Sequence, residues 1–226
     1  MSSLAILGGT FDPVHVGHLR AAIEAREALA AEEIRLLPCA MPPHREQPLV
    51  LAEQRLQMLE AAVLGLPGLR CDARELQRPG PSYTFDTLLS LRAEIGERRS
   101  LVLVLGADAF AGLPSWYRWR EISTLAHIAV LTRPDAHGLI DPRLEDLLAS
   151  AGTADAQDLQ AVPAGRVLRL QIPPMPVSST LIRERLRVGR SVRYLVPDAV
   201  LDLILSQDWY RGRAGGLSEA LALSVK

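Results

Sequence analysis

The chain has 226 residues, of which 48% are apolar and 23% charged, and its net charge is −1. That length suits one α/β domain with a sizeable core, the charge balance leaves no electrostatic footprint for nucleic acid, and no run approaches the ~20 apolar residues of a membrane span. Cys39 and Cys71 sit in or beside apolar runs, where reduced core thiols are expected rather than a disulfide, and neither stands at metal-ligand spacing.

The N-terminus shows no signal-peptide pattern and runs straight into a strand, so cytoplasmic residence is the expectation. Leu4-Ala5-Ile6-Leu7 is apolar without a break, as a buried parallel strand is. Gly8 and Gly9 remove side-chain bulk where it ends. Pro13 fixes its own φ and biases Asp12 toward an extended conformation, so the chain turns here, and a helical pattern follows. A strand-to-helix turn is a natural anion site, because free N–H groups and the positive end of the helix dipole point into it. His15 and His18 share a face of the first turn, and Gly17 between them is expected to leave room for a ligand near the backbone. The arrangement reads as two imidazoles over a phosphate cradle. Neither the G-x-G-x-x-G fingerprint nor the P-loop lysine is present.

Residues 19–31 predict a helix, with Leu19, Ala22, Ile23, Leu29 and Ala30 at helical spacing, and 34–38 a second strand. Strand, helix, strand in so short a stretch implies a right-handed crossover and a parallel sheet. The loop 39–48 holds Pro42-Pro43-His44-Arg45, which reads either as a solvated turn or as a stiff loop that loses little entropy on gripping a ligand. A second helix over 51–64 places Ala52, Leu56, Leu59 and Val63 on one face. Residues 70–75 predict a third strand, and Pro79-Gly80-Pro81 breaks the pattern. Ser82-Tyr83-Thr84-Phe85-Asp86-Thr87 leads into a helix, on one reading simply as its polar cap.

The cleanest buried strand is Leu101-Val102-Leu103-Val104-Leu105, ending in Gly106-Ala107-Asp108. Ligands bind beyond the carboxyl ends of parallel strands, so Asp108 shares a rim with Gly8 and Gly9. There it suits either ribose hydroxyls or a helix N-cap. Residues 113–119 hold Trp116 and Trp119, and an indole face suits a flat, electron-poor ring. A strand over 127–132, a Pro-rich turn into a short helix over 133–149, an exposed connection over 152–165 and a strand over 166–172 follow. Pro173-Pro174-Met175-Pro176 then leads to Val177-Ser178-Ser179-Thr180-Leu181-Ile182-Arg183. Arg183 lies in the first turn of a helix beginning near Ser178, where a cation opposes the dipole by up to ~1 kcal/mol. A phosphate would reverse that cost; the alternative is capping by Ser178 with Arg183 solvated. A connector over 190–197, a final helix over 198–205 and a tail from 211 that is expected to fray complete the chain.

Gly8-Gly9-Thr10-Phe11-Asp12-Pro13-Val14-His15-Val16-Gly17-His18 resembles the G-G-T-F-D-P-x-H-x-G-H signature of the nucleotidyltransferases with an H-x-G-H motif, and more narrowly of bacterial nicotinate-mononucleotide adenylyltransferases. Residues 82–87 are similar to that family's Ser-Tyr-Thr-x-Asp-Thr segment, 106–108 to its G-x-D segment, 177–183 to its I-S-S-T-x-I-R motif with Val177 as a mild replacement, and Asp208-Trp209-Tyr210 to its closing segment. The likeness runs over residues 3–210. It implies a Rossmann-like, doubly wound parallel sheet with a small C-terminal helical part: a core at 1–177, helices at 178–210 and a tail at 211–226.

The same resemblance implies an enzyme that transfers AMP from ATP to nicotinate mononucleotide. His18 would bind the α-phosphate, and His15, Arg45 and Arg183 the β- and γ-phosphates. Gly8, Gly9, Thr10, Phe11, Gly17, Ser178, Ser179 and Thr180 would complete the ATP site. Tyr83, Thr84, Asp108, Trp116 and His44 would hold the nicotinate nucleotide. Arg45 stands where the family carries lysine, a fork in place of a point donor. Mg²⁺ is expected on the ATP phosphates rather than in a carboxylate cage. The second pKa of a phosphate monoester is about 6, so the mononucleotide phosphate is already a nucleophile at neutral pH. Catalysis then rests on in-line positioning and charge neutralisation. The rivals are a nucleotidyltransferase with another phosphorylated acceptor and a non-catalytic nucleotide-binding regulator. The choice between nicotinate and nicotinamide, and homo-oligomerisation, stay open at this point.

Overall fold

Leu4, Ile6, Leu101 and Leu103 enter one apolar cluster, and Ala5, Leu7, Val102 and Val104 another. Such alternation means strands whose period of two is buried on both faces. In the computed structural model, which describes residues 3–41, 47–132 and 141–210, these strands lie in one seven-stranded, all-parallel sheet. The strands are β1 (Ser3–Gly9), β2 (Glu33–Pro38), β3 (Leu69–Cys71), β4 (Ser100–Gly106), β5 (His127–Thr132), β6 (Gly152–Thr153) and β7 (Val167–Gln171), in the order β3-β2-β1-β4-β5-β7-β6.

One face carries α1 (Val16–Ala28), α2 (Ala52–Val63), α7 (Asp158–Ala161), α8 (Ser179–Arg187) and α9 (Asp198–Ser206), through Leu19, Met58, Leu159, Ile182 and Val200 among others. The other carries α3 (Thr84–Ile95), α4 (Ala107–Ala111), α5 (Trp119–Leu125) and α6 (Pro142–Ala151), through Leu88, Phe110, Ile122 and Leu144. This is the Rossmann-like, doubly wound arrangement expected from the sequence. The strand order reverses between β1 and β4, which opens a crevice beyond their carboxyl ends. Among the described residues no helix is long and apolar enough to cross a membrane.

Three expectations change. The third strand stops at Cys71, because the Asp72 carboxylate accepts from Arg74 N at 3.1 Å and turns the chain. Residues 152–165 are more than an exposed connection: Gly152 and Thr153 pair with β7, and Leu159 is buried with its carbonyl accepting from Ser100 Oγ at 2.6 Å. The buried face of α2 is rotated from the expected stripe, centring on Arg55, Met58, Leu59 and Ala62. A charged side chain therefore faces the core.

Candidate active site

The β1–α1 turn is held by a reciprocal cap of two imidazoles. His18 N donates to His15 Nδ1 and His15 N donates to His18 Nδ1, each at 3.3 Å. The rings stack with centroids 3.7 Å apart. Since each Nδ1 accepts, each neutral ring carries its proton on Nε2, on the side away from the backbone. The pair thus carries its two ring N–H groups on the side opposite the cap. His15 is buried, and desolvation pushes its pKa down to about 4, so it donates as a neutral ring at pH 7. His18 is half-buried and is the more open of the two.

The glycines of this turn divide by role. A Cβ at Gly17 would lie 2.8 Å from Val177 Cγ1 and 3.1 Å from His15 Nδ1. The room expected there for a ligand is therefore taken by Val177, and the glycine serves close packing of the segment before α8. A Cβ at Gly9 would lie 3.0 Å from the Phe11 ring. Phe11, in the left-handed region at φ 50°, folds its ring over Gly9 and sets it edge-on to His18 at 5.0 Å. At 1% exposure the Phe11 side chain supports the turn from within the core. Gly8 and Gly106, at the ends of adjacent strands, face open space.

The start of α8 touches this turn directly. Ser178 caps the helix, accepting from Leu181 N at 3.2 Å, while Ser179 Oγ donates to Pro13 O at 2.9 Å. Arg183 donates from Nη1 to Asp12 O at 2.8 Å and from Nη2 to Thr180 Oγ1 at 3.3 Å. It sits on the seam between the two motifs rather than free in solvent. Asp12 is the hub beneath them. Its carboxylate accepts from Tyr210 Oη at 2.7 Å and from Leu49 N at 2.9 Å, with Arg183 Nη1 3.9 Å away. Burial and the Asp12 charge push the Tyr210 hydroxyl far above the ordinary phenol range. Arg55, also buried, donates to Thr10 O at 2.7 Å and to Ala40 O at 3.2 Å. Burial raises the nearby Cys39 thiol, which leaves it an inert thiol.

Across the crevice, Thr84 opens α3 with Tyr83 at its N-cap. The aromatic partner of Tyr83 is Tyr117, with ring centroids 4.7 Å apart. The Arg118 guanidinium lies 3.9 Å over the Phe85 ring. Ser82 Oγ accepts from Ala40 N at 3.0 Å and Met41 N at 3.4 Å, tying this segment to the loop after β2. Thr87 Oγ1 donates to the buried Glu75 carboxyl at 2.7 Å, whose pKa burial raises. Asp108 is exposed in the first turn of α4, at the rim beyond β4. Trp116 is half-buried and packs with Trp119 against the second core cluster. His44 and Arg45 lie outside the described residues.

Residues 6–185 match the cytidylyltransferase-like family. Over 208 residues the chain is 53% identical to the "Probable nicotinate-nucleotide adenylyltransferase" of Pseudomonas putida strain W619, covering 92% of this chain and 94% of that one. It is 51% identical to the protein of the same name from Pseudomonas aeruginosa strain UCBPP-PA14, covering 92% and 97%. The chain belongs to the nicotinate-nucleotide adenylyltransferases. The fold of the Plasmodium falciparum nicotinic acid mononucleotide adenylyltransferase complexed with NaAD superposes with a TM-score of 0.69, at 16% identity, over 93% of this chain and 98% of that one.

Four residues packed around this crevice escaped the sequence reading: Asp12, Arg55, Tyr117 and Tyr210. Asp12 passes for a turn residue beside proline, and Tyr117 stands between two tryptophans that draw attention first. Arg55 had a signal, since it lies three and four residues before Met58 and Leu59 on one helix face. Tyr210 had only the likeness of Asp208-Trp209-Tyr210 to the family's closing segment, which does not point to Asp12, 198 positions away.

Proposed function

We infer that this nicotinate-nucleotide adenylyltransferase joins nicotinate mononucleotide to ATP, releasing pyrophosphate and forming nicotinate adenine dinucleotide. Membership of its family carries the reaction class. The observation that supports the site is the direct contact between the turn after β1 and the start of α8 through Arg183 and Asp12. Two sets of donors on one crevice suit a polyphosphate.

An oxygen of the mononucleotide phosphate attacks the α-phosphorus of ATP. The bond from that phosphorus to the bridging oxygen breaks, and pyrophosphate leaves. The nucleophile is already ionised, so no general base is required. His18 donates from Nε2 to the α-phosphate, where charge grows in the transition state. Neutral His15 adds a second N–H from behind, within the narrow access its burial allows. Arg183 and Arg45 hold the β- and γ-phosphates. Gly8, Gly9 and Thr10 line the cradle, and the free N–H groups of Ser179 and Thr180 at the start of α8 face the same anion.

On the acceptor side, the N–H groups at the start of α3, at Thr84, receive the nicotinate carboxylate. Tyr83, with Tyr117 and Trp116, frames the ring, His44 closes over it, and Asp108 takes ribose hydroxyls. Mg²⁺ arrives on the phosphates. Asp12, the acidic side chain nearest the turn, is already occupied by Tyr210, Leu49 and Arg183, and oxygens of the substrate suit a hard cation that keeps its waters. A cytoplasmic setting belongs to the same proposal.

The test is pyrophosphate release from ATP with nicotinate mononucleotide, nicotinamide mononucleotide, phosphopantetheine and choline phosphate compared side by side. Fastest release with nicotinate mononucleotide is expected. Release with only one of the last two would overturn the reading.

A further inference from the structure

We propose that Arg55 is the buried half of the phosphate site: a permanent positive charge set behind the β1–α1 turn, whose counter-charge is the bound polyphosphate. Arg55 is 1% exposed. Nη1 and Nη2 are spent on two carbonyls, Thr10 O and Ala40 O, and Nε is buried without a partner. Among the described residues no carboxylate lies within ion-pair distance of it. A guanidinium cannot shed its proton to escape burial, and a buried charge with no opposite charge is costly to keep.

The carboxylates buried at this end of the sheet are committed elsewhere. Asp12 serves Tyr210, Leu49 and Arg183, and Glu75 serves Thr87. Both Arg55 and Arg183 act on the Tyr210 hydroxyl that Asp12 holds. The Asp12 carboxylate lies 3.9 Å from Arg183, which leaves the Arg55 charge unbalanced behind Thr10. Thr10 is the residue through which that charge meets the cradle. In a water-poor setting its field reaches a ligand it does not touch. Arg55 also fastens the turn after β1 to the loop after β2, so it is a positioning residue as well as a source of charge.

This inference rests on the phosphate-site reading. The test therefore begins with inorganic pyrophosphate and ATP titrated into the unaltered protein at fixed, low ionic strength. Failure to bind either would remove that reading, which is a different failure from the ones below. Four variants follow: R55K, R55Q, C39D and C39N. R55Q is expected to weaken pyrophosphate about 10-fold or more and to raise the KM for ATP, while R55K, which keeps the charge, stays within about 3-fold. Cys39 lies beside Arg55. C39D therefore supplies the missing carboxylate while Arg55 keeps its bonds to Thr10 and Ala40, and it should weaken pyrophosphate as R55Q does; C39N should not. Equal losses in R55K and R55Q would assign Arg55 to hydrogen bonding alone and overturn the proposal. So would C39D binding as tightly as C39N. If R55Q does not fold, the Cys39 pair decides; if C39D does not fold, the Arg55 pair does.

Discussion

The Tyr210 hydroxyl donates to the Asp12 carboxylate at 2.7 Å across 198 positions of chain. The bond joins the last described residue to the first turn, and Arg183 reaches the same aspartate from α8. Removing the hydroxyl leaves a buried carboxylate oxygen short of a donor, which costs ~1–3 kcal/mol. Tyr210→Phe is expected to lose that much in urea denaturation and to raise the KM for ATP, because Asp12 orients Arg183. Unchanged stability would contradict the hub role.

In the proposed reaction His18 serves both the helix and the ligand. Its Nδ1 accepts from His15 N, which puts the ring proton on Nε2, away from the backbone. His18→Ala should cost ~1 kcal/mol for the lost cap and lower kcat about 100-fold or more for the lost transition-state donor. Rates of pyrophosphate release, read beside circular dichroism at the same temperature, separate the two. An undiminished kcat in a folded variant would remove the catalytic role.

His15 makes stability depend on acid. In the unfolded chain it titrates at its ordinary value of 6.5, and in the folded chain at about 4. Between those values the unfolded state binds more protons, so stability is whole above pH 6.5 and falls as pH drops through the window. From pH 7.5 to 5 the loss is about 2 kcal/mol. His15→Gln should lose that part of the pH dependence, measured as the difference in unfolding free energy at the two pH values.

Gly17 and Gly8 should respond in opposite ways to alanine. A Cβ at Gly17 collides with Val177 and the His15 ring, whereas one at Gly8 meets nothing. Gly17→Ala is expected to destabilise by ~1–3 kcal/mol from overpacking, and Gly17→Ala with Val177→Ala to recover most of it, since the two sites are in contact. Gly8→Ala should melt with the unaltered protein but raise the KM for ATP, because its methyl enters the crevice. Calorimetry on the single and double variants, with ATP kinetics on Gly8→Ala, checks both statements.

The class of fold and the two stretches proposed to bind phosphate were already legible in the order of residues. Leu4 to Leu7 and Leu101 to Leu105 carry strand identity in runs of adjacent residues. Gly8 to His18 carries its turn chemistry in the same local way, and the motif ending at Arg183 stands complete within seven positions. Only the tertiary structure decided what surrounds them. It revealed that Val177 fills the space at Gly17, that Phe11 belongs to the core, that Tyr117 meets Tyr83, and that Arg55 and Tyr210 close on the turn from behind. The reason is range. Periodicity and turn preferences act between residues a few positions apart and are written in their order, whereas burial and long-range hydrogen bonds depend on which distant segments the sheet order brings together.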